Sequence, residues 1–350
     1  MRALLGVLTP VVLAPVLATG AAAQSLPIEG TVAAATGEPL AGAVVYLLNS
    51  ELQGVRAVLS DGGGAFQLTA AGPGRYSLEV ERIGFEMSLF PPFEVPEGGI
   101  RNLSLRVQVR PIEVEGISVT AETVCDIAGG GGDLVGVWTE ARKALTATVL
   151  SEGQGNLLFT LEVSQRRLNA RDLLLHEEID TLLTDWNSAF AFVPVADLGD
   201  AGWGRLDGPA LAEVFGPSPE ILLSPWFTDN HCLGVAPPSP DSLVGLAFTS
   251  KEGAFDVGIE GAFWFETPSW LLRRISFRFS GPLGLENATE QGGEIVLTVG
   301  SEGSWYVHSW RILVPTWVAR PGGLFGGGRA PQVTGFMESG GRVIALSRGP

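Results

Sequence analysis

The side chains that could carry acid–base, nucleophilic or metal chemistry are few in this chain. The histidines and cysteines are His176, His231, His308, Cys125 and Cys232. Adjacent side chains of a strand point to opposite faces, so of its two acidic neighbours His176 could share a face only with Glu178. Zinc sites need three or four protein ligands, and too few candidates surround either His176 or the His231-Cys232 pair. We therefore predict no metal site.

The short motifs of hydrolytic and phosphate-binding enzymes are missing from the sequence. It contains neither Gly-x-Ser-x-Gly nor His-Glu-x-x-His. The glycine runs at 62–64 and 129–132 are not followed by Lys-Ser or Lys-Thr, so they indicate turns or linkers. We predict no catalytic residue and no cofactor, and therefore a protein that is not an enzyme. A hydrolase with an unrecognised site stays open as an alternative, because a sequence does not show which side chains meet in space.

The first residues have the layout of a secretory signal peptide. Arg2 precedes an apolar run that reaches about Ala18 and ends in small residues, which predicts a cleavable signal over residues 1–23. The run is short for a membrane span and contains prolines, so we expect no transmembrane segment after its removal. An exported chain meets oxidising conditions, and an even number of cysteines there favours a disulfide between Cys125 and Cys232. We expect the protein in the periplasm or at the cell surface.

The net charge of −16 narrows the choice of partners. A strongly acidic surface repels the phosphate backbone of nucleic acids and the headgroups of anionic lipids. We therefore predict that the protein has no nucleic-acid partner.

Tryptophans are the remaining candidates for contact with a ligand. Four of the nine lie on or between predicted strands of the second half: Trp264, Trp270, Trp305 and Trp310. Aromatic side chains on an open sheet can stack on sugar rings or hold acyl chains. The alternative is that they fill the core between a sheet and a helix. Trp270 falls at a predicted hairpin tip, so we expect it to be the most exposed of the four.

Short alternating strands and tight turns occupy residues 28–90. Within them, Tyr76, Leu78 and Val80 alternate with Ser77, Glu79 and Glu81. A period of two places the apolar set in a core and the acidic set in water. Residues 61–64 predict a tight turn, because glycine there tolerates a positive φ and aspartate accepts backbone hydrogen bonds. The pattern indicates a small antiparallel β-sandwich.

Several motifs of this segment together resemble a known family. They are Gly-Thr-Val at 30–32, Gly-Glu-Pro-Leu-Ala-Gly-Ala at 37–43, Ser-Asp at 60–61 followed by Gly-x-Phe, Gly-Arg-Tyr at 74–76 and Gly-Phe at 84–85. Over about residues 27–110 the chain resembles the carboxypeptidase regulatory-like domain, a transthyretin-like β-sandwich also found ahead of many TonB-dependent receptors. The resemblance implies a bacterial module that presents surfaces. The family's catalytic zinc domain uses a His-x-x-Glu pair, and none of the three histidines of this chain has a glutamate three residues after it.

A single long helix is predicted after a linker at 121–132. Leu134, Trp138, Ala141 and Leu145 recur at spacings of four, three and four. This spacing places the four side chains on one stripe, which indicates a helix with one buried face.

The sequence of the remainder of the chain predicts mainly strands. They are predicted at 157–164, 173–182, 189–193, 243–249, 255–265, 271–279, 293–299 and 305–314. The clearest hairpin spans 258–280, and the strand at 305–314 is expected to be its neighbour. A short helical turn is predicted near 209–214. A last hairpin joins 332–337 to 342–346 through the serine and glycines at 339–341.

These patterns predict a mostly β protein. An N-terminal transthyretin- or Ig-like β-sandwich precedes an α+β domain with a large antiparallel sheet and one main helix. The expected divisions are a signal peptide at 1–23, the sandwich at 24–120, a linker at 121–132, the sheet domain at 133–320, and a flexible joint with a C-terminal hairpin at 321–350.

The predicted function follows from this architecture and from the missing catalytic motifs. We expect an exported, non-enzymatic scaffold of the bacterial cell envelope that binds an envelope protein or a glycan. The hairpin at 258–280 is similar to those of exported bacterial proteins with a curved sheet of the lipoprotein-carrier kind, which implies a carrier of a lipidic ligand as an alternative. A further alternative is an accessory component of a TonB-dependent uptake system.

Overall fold

The computed structural model describes residues 25–108, 123–127, 129, 132–153, 157–185, 193–207, 210–280, 291–300, 303–318 and 332–348. The predicted signal peptide, part of the linker, the glycine-rich joint before residue 331 and most of the predicted strand at 189–193 lie outside the described residues.

The N-terminal part is a β-sandwich, as predicted. Its strands are Leu26–Ala34 (β1), Val44–Leu48 (β2), Gly54–Leu59 (β3), Ala65–Ala70 (β4), Gly74–Glu81 (β5), Ser88–Leu89 (β6), Phe93–Val95 (β7) and Ile100–Val107 (β8). One sheet has the order β4-β1-β8, in which β1 pairs antiparallel with β4 and parallel with β8. The other has the order β3-β2-β5-β6, with β7 also paired to β5. Ile28, Val45, Leu68, Leu78 and Val80 are buried between the sheets.

The predicted turn at 61–64 connects β3 of one sheet to β4 of the other. The Asp61 carboxylate accepts hydrogen bonds from the backbone N–H groups of Gly63 (2.9 Å) and Ala65 (2.8 Å). Gly64 has a φ of +77°, and a Cβ there would lie 2.4 Å from the carbonyl oxygen of Val32. Glycine is therefore required both by the backbone conformation and by the approach of β1.

The second part is built on a nine-stranded antiparallel sheet. The strands that follow the sandwich are Leu157–Asn169 (β9), Leu174–Thr184 (β10), Gly204–Asp207 (β11), Ala210–Val214 (β12), His231–Val235 (β13), Val244–Ser250 (β14), Gly258–Glu266 (β15), Leu271–Ser280 (β16), Gly292–Val299 (β17), Trp305–Val318 (β18) and Gln332–Arg348 (β19). The order of the large sheet is β10-β9-β19-β18-β17-β16-β15-β14-β13, and β11 pairs separately with β12. The predicted hairpin is confirmed, with Gly258 opposite Ser280.

Three described α-helices accompany this sheet. They are Asp133–Gly153 (α1), Pro219–Leu222 (α2) and Pro225–Asn230 (α3). The predicted stripe of Leu134, Trp138, Ala141 and Leu145 is buried along α1. Trp138 packs against Phe263 of β15, with ring centroids 5.5 Å apart. We call this side of the sheet its inner face and the opposite side its outer face.

Three predictions for the second part are wrong. The segment expected to turn as a helix near 209–214 is β12, because it pairs with β11. The expected last hairpin is the single strand β19, which pairs along its length with β18 and β9. Its centre at 339–341 is extended because it pairs with β18 and β9 at the same time. Glycine is needed at 341, because a Cβ there would lie 2.3 Å from the ring of Trp310. The hairpin β15–β16 is separated from β18 by β17.

Helix α1 lies between the sandwich and the large sheet. One continuous apolar cluster includes Val44 and Ile83 of the sandwich, Ala141 of α1, and Phe263 and Ile295 of the sheet. The elements thus form three layers, in which α1 contacts both β2 and β3 on one side and β16 and β18 on the other.

The position of α1 overturns one expectation for the sandwich. Glu81 was expected in water but is 2% exposed, because α1 covers its face of β5. Arg142 of α1 donates a hydrogen bond to Glu81 at 2.6 Å, and the hydroxyl of Tyr46 donates at 3.2 Å. Burial and the nearby carboxylate raise the pKa of Tyr46, so this hydroxyl keeps its proton. The acidic side chain is therefore part of the contact between the layers.

A buried ion pair forms the centre of the same contact. Lys143 donates to Glu140 at 2.7 Å and to the carbonyl oxygen of Phe85 at 2.9 Å. The second carboxylate oxygen of Glu140 accepts the backbone N–H of Gly84 at 2.9 Å. Both side chains are nearly inaccessible to solvent. One turn of α1 thereby satisfies a donor and an acceptor of the sandwich loop that follows β5.

A second contact joins the sandwich directly to the sheet. Gly42 and Gly303 meet so closely that a Cβ on Gly42 would lie 2.4 Å from the carbonyl oxygen of Gly303. Both glycines have a positive φ.

In the part of the chain that the structure describes, no helix is both long and apolar enough to span a membrane.

We expect Glu140→Ala to destabilise the protein strongly. The substitution leaves Lys143 charged and buried without its counter-ion, and Gly84 without its acceptor, which costs about 3–5 kcal/mol of unfolding free energy. Urea denaturation measures this loss. Glu29→Ala is the control, because its partner Arg101 is largely exposed, and about 1 kcal/mol or less is expected there. Equal small losses for both variants would contradict the role of the buried pair.

Candidate functional site

Two of the four candidate tryptophans are buried, contrary to a role in ligand contact. Trp270 is 3% exposed and Trp305 is 4% exposed. Trp270 does lie at the tip of the β15–β16 hairpin, but this tip packs against the sandwich, where a Cβ on Gly84 would lie 3.5 Å from the carbonyl oxygen of Ser269. The expected exposure of Trp270 is therefore wrong. Both side chains belong to the apolar cluster around α1.

The other two tryptophans are half-buried and lie on opposite faces of the sheet. Trp264 is on the outer face, where its indole N–H donates to the hydroxyl of Ser276 at 2.7 Å. The guanidinium of Arg274 lies over its ring, 5.4 Å from the centroid. Trp310 lies against Gly341 and packs on the cluster around α1. The structure does not bring the four candidates together into one aromatic surface.

A groove on the outer face is the site nearest to Trp264. It has a volume of about 730 Å³ and crosses β13 to β16. Its floor has small residues, including Gly234, Ala247 and Ala262, and its side carries an ion pair of Glu260 with Arg278. Because the two charges pair with each other, this surface offers shape and hydrogen bonds rather than a free acid or base.

His231 is the one described histidine that contacts a serine hydroxyl, and this contact is buried. Its Nε2 lies 3.1 Å from Oγ of Ser250 and accepts the indole N–H of Trp203 at 2.9 Å. Its Nδ1 lies 2.8 Å from the carbonyl oxygen of Phe227. Burial lowers the pKa of His231 to about 4. The neutral ring therefore joins α3 to β13 and β14, and a carbonyl occupies the position that a carboxylate takes in a catalytic triad.

His176 and the two cysteines do not form a site with His231. His176 is exposed and lies 3.0 Å from Glu178 on the same face of β10. Within the described ranges, no group of three or more His, Cys, Asp or Glu side chains could hold a metal ion. Cys125 and Cys232 form the predicted disulfide, which ties the segment before α1 to β13. Beside it, Val124 exchanges backbone hydrogen bonds with Leu233 at 2.7 and 2.9 Å.

Strand β10 is an exposed surface that contains no tryptophan and was not among the predicted site residues. Among the described strands it is the end strand of the large sheet, and every residue from Leu174 to Leu183 is exposed. Leu175 is 62% exposed and Leu183 is 69% exposed. In the sequence the signal is a pair of leucine clusters around an acidic centre, which shows no amphipathic alternation. The opposite end of the sheet differs, because Val124 pairs with part of β13.

Ion pairs on the outer face support the end of the sheet next to β10. Arg166 of β9 contacts Glu177 of β10 at 2.5 Å and Glu338 of β19 at 3.3 Å. Arg311 of β18 donates to Glu338 at 2.6 Å. The acids and bases of four neighbouring strands therefore form one connected row, which links β10 to the interior of the sheet.

Comparisons with known proteins identify the first of these two parts. The fold defines a β-sandwich followed by a large antiparallel sheet with one main helix. Residues 27–108 match the family model of the carboxypeptidase regulatory-like domain, which confirms the resemblance drawn from the motifs. No curated protein matches the chain. Among solved structures, the chain is similar to BcpA, the major pilin subunit of Bacillus cereus, at 9% identity and a TM-score of 0.21, over 90% of this chain and 95% of that one.

The stability of the protein should fall on acidification because of His231. Its folded pKa of about 4 lies below the ordinary 6.5, so the unfolded chain binds the proton first and the stability is lost as the pH falls from 6.5 towards 4. Between about pH 7.5 and 4.5 the expected loss is about 2.5 kcal/mol. Urea denaturation of the protein and of His231→Gln measures it. His176→Gln should keep the loss, and an unchanged pH dependence in His231→Gln would contradict the assignment.

Glu152 should act in the opposite direction. Burial, and then the charge of Glu220, raise the pKa of Glu152 to about 8 from its ordinary 4.5. The stabilisation is therefore present below pH 4.5 and is lost as the pH rises through 8, by about 4 kcal/mol between about pH 5 and 9. Glu152→Gln should reduce this loss, while the exposed control Glu51→Gln should not. Identical pH profiles of the two variants would refute the prediction.

Proposed function

We propose that the protein is an exported, non-enzymatic scaffold of the bacterial cell envelope that binds a partner protein at the β10 end of its large sheet. The exposed end strand is the observation that carries this proposal. Natural sheets protect a free edge with charges, bulges or covering segments, because its backbone N–H and C=O groups can pair with another strand. The edge of β10 carries acidic residues at its centre, but it also exposes leucines and one isoleucine on both sides of them.

The organisation behind β10 suits a scaffold. The edge is linked through Arg166 to the row of ion pairs on the outer face, and α1 joins the sheet to the sandwich. A partner on β10 would therefore be held in a defined position relative to the regulatory-like module. This supports a role in presenting or connecting proteins, and such a role needs no catalytic acid or base.

The groove of about 730 Å³ on the outer face supports a second candidate function. Its volume is in the range of small-molecule sites, so it could hold a glycan or a lipidic ligand. The inner face offers less support for a carrier, because Trp138, Phe227 and Phe263 pack together against it. Among the described residues, no observation favours a hydrolase, because His231 is fully buried.

Site-specific photo-crosslinking in the native cell envelope tests the binding surface. A photoreactive amino acid replaces Leu183 in one variant and Leu52, an exposed residue of the sandwich at 57%, in the other. We expect protein adducts from position 183 and none, or different ones, from position 52. Cell fractionation of the same cultures should place the protein outside the cytoplasm. The same adducts from both positions, no adduct from position 183, or a cytoplasmic protein would contradict the proposal.

A further inference from the structure

The two faces of β10 differ in charge. Its pairing with β9 places Glu178 and Asp180 opposite Gln165 and Val163, on the inner face. Glu177 lies on the outer face, where it is paired with Arg166. The side chain of Glu178 is 68% exposed. Two exposed acids, two residues apart, therefore lie side by side on the inner face of an end strand.

The apolar side chains of β10 flank this acidic pair. Ile179 and Leu183 lie on the outer face, opposite Ser164 and Thr160 of β9. Leu182 follows Asp180 on the inner face and is 48% exposed. A strand added beside β10 would thus meet Glu178, Asp180 and Leu182 on the inner face, with His176 beside Glu178. On the outer face it would meet Ile179 and Leu183 beyond the paired Glu177.

We infer that β10 binds an extended basic segment of a partner protein by strand addition, and this inference rests on the proposed function. In this mode, backbone hydrogen bonds supply affinity and alternate side chains supply specificity. Basic residues two positions apart on the partner would face Glu178 and Asp180. Apolar residues between and beyond them would face Ile179 and Leu183. The partner is therefore a segment in which basic and apolar residues alternate.

In antiparallel pairings centred on Glu178, Ile179 or Asp180, charge disfavours a second copy of this chain as the occupant. When two β10 strands pair antiparallel about Ile179, Glu178 of each copy lies opposite Asp180 of the other. Like charges directly opposite each other destabilise a pair of strands. Moving the centre of pairing to Glu178 or to Asp180 places that acid opposite itself. The same acids that repel a second copy attract a basic strand.

Binding of synthetic peptides to the purified full-length protein tests the inference. One peptide alternates lysine with valine, a second alternates glutamate with valine, and a third is the lysine peptide with methylated backbone nitrogens. By fluorescence anisotropy we expect the lysine peptide to bind about tenfold more tightly than the glutamate peptide. Methylation should abolish binding, because it removes the donors that a strand needs. Hydrogen exchange should show protection of β10 amides in the complex.

Charge-reversed variants separate a local effect from the net charge. Glu178→Lys combined with Asp180→Lys should reverse the preference between the two peptides. The control is Glu51→Lys combined with Glu97→Lys, which changes the net charge equally at exposed positions of the sandwich and should keep the preference for lysine.

Three results would overturn the inference. The first is equal affinity for the lysine and glutamate peptides, and the second is an equal loss of the preference for the lysine peptide in both double variants. The third is binding of the methylated peptide that is as tight as that of the unmethylated one. Self-association of the protein through β10, detected by ultracentrifugation, would overturn it as well. If any of these is found while position 183 still yields adducts in the envelope, the proposed function stands and only the chemistry assigned to the partner is wrong.

Discussion

The contact on which the rest of the structure depends is the buried polar cluster between α1 and the loop after β5. Removing charges from water is costly unless every charge and hydrogen-bonding group finds a partner. Glu140 and Lys143 meet this condition, because they bind each other and also the backbone of Gly84 and Phe85. This arrangement requires one orientation of the helix relative to the sandwich, which apolar contacts alone would specify less strictly.

Several features follow from the position of α1. Its sandwich-facing side buries Glu81, and the same approach brings the β15–β16 hairpin onto the sandwich and buries Trp270. The helix contacts strands from β13 to β18, whereas β10 lies beyond it at the end of the sheet. The covered strands form a filled core and the uncovered end is exposed. The proposed binding surface is therefore a consequence of where the helix lies.

Local patterns in the sequence predicted which helices and strands form better than they predicted what surrounds each side chain. The sandwich, the stripe of α1, the hairpin at 258–280 and the disulfide each depend on nearby residues or on compartment chemistry, and all are present. The exposure of Trp270, the burial of Glu81 and the extended course of β19 depend on distant partners, which periodicity does not reveal. β10 was predicted as a strand, but its position at the end of the sheet follows only from the topology. The division into separate domains stays a prediction. One apolar cluster includes side chains from both sides of the expected boundary.

Coincidence of unfolding in the two parts tests the central claim that α1 joins them into one body. The first tryptophan of the chain is Trp138, so tryptophan fluorescence reports mainly on the part of the chain that follows the sandwich. Hydrogen exchange of the β2 and β5 amides, measured over the same urea concentrations, reports on the sandwich. The account predicts one transition with the same midpoint for both measurements. Two separate midpoints, with the sandwich still protected after the sheet has unfolded or the reverse, would contradict it.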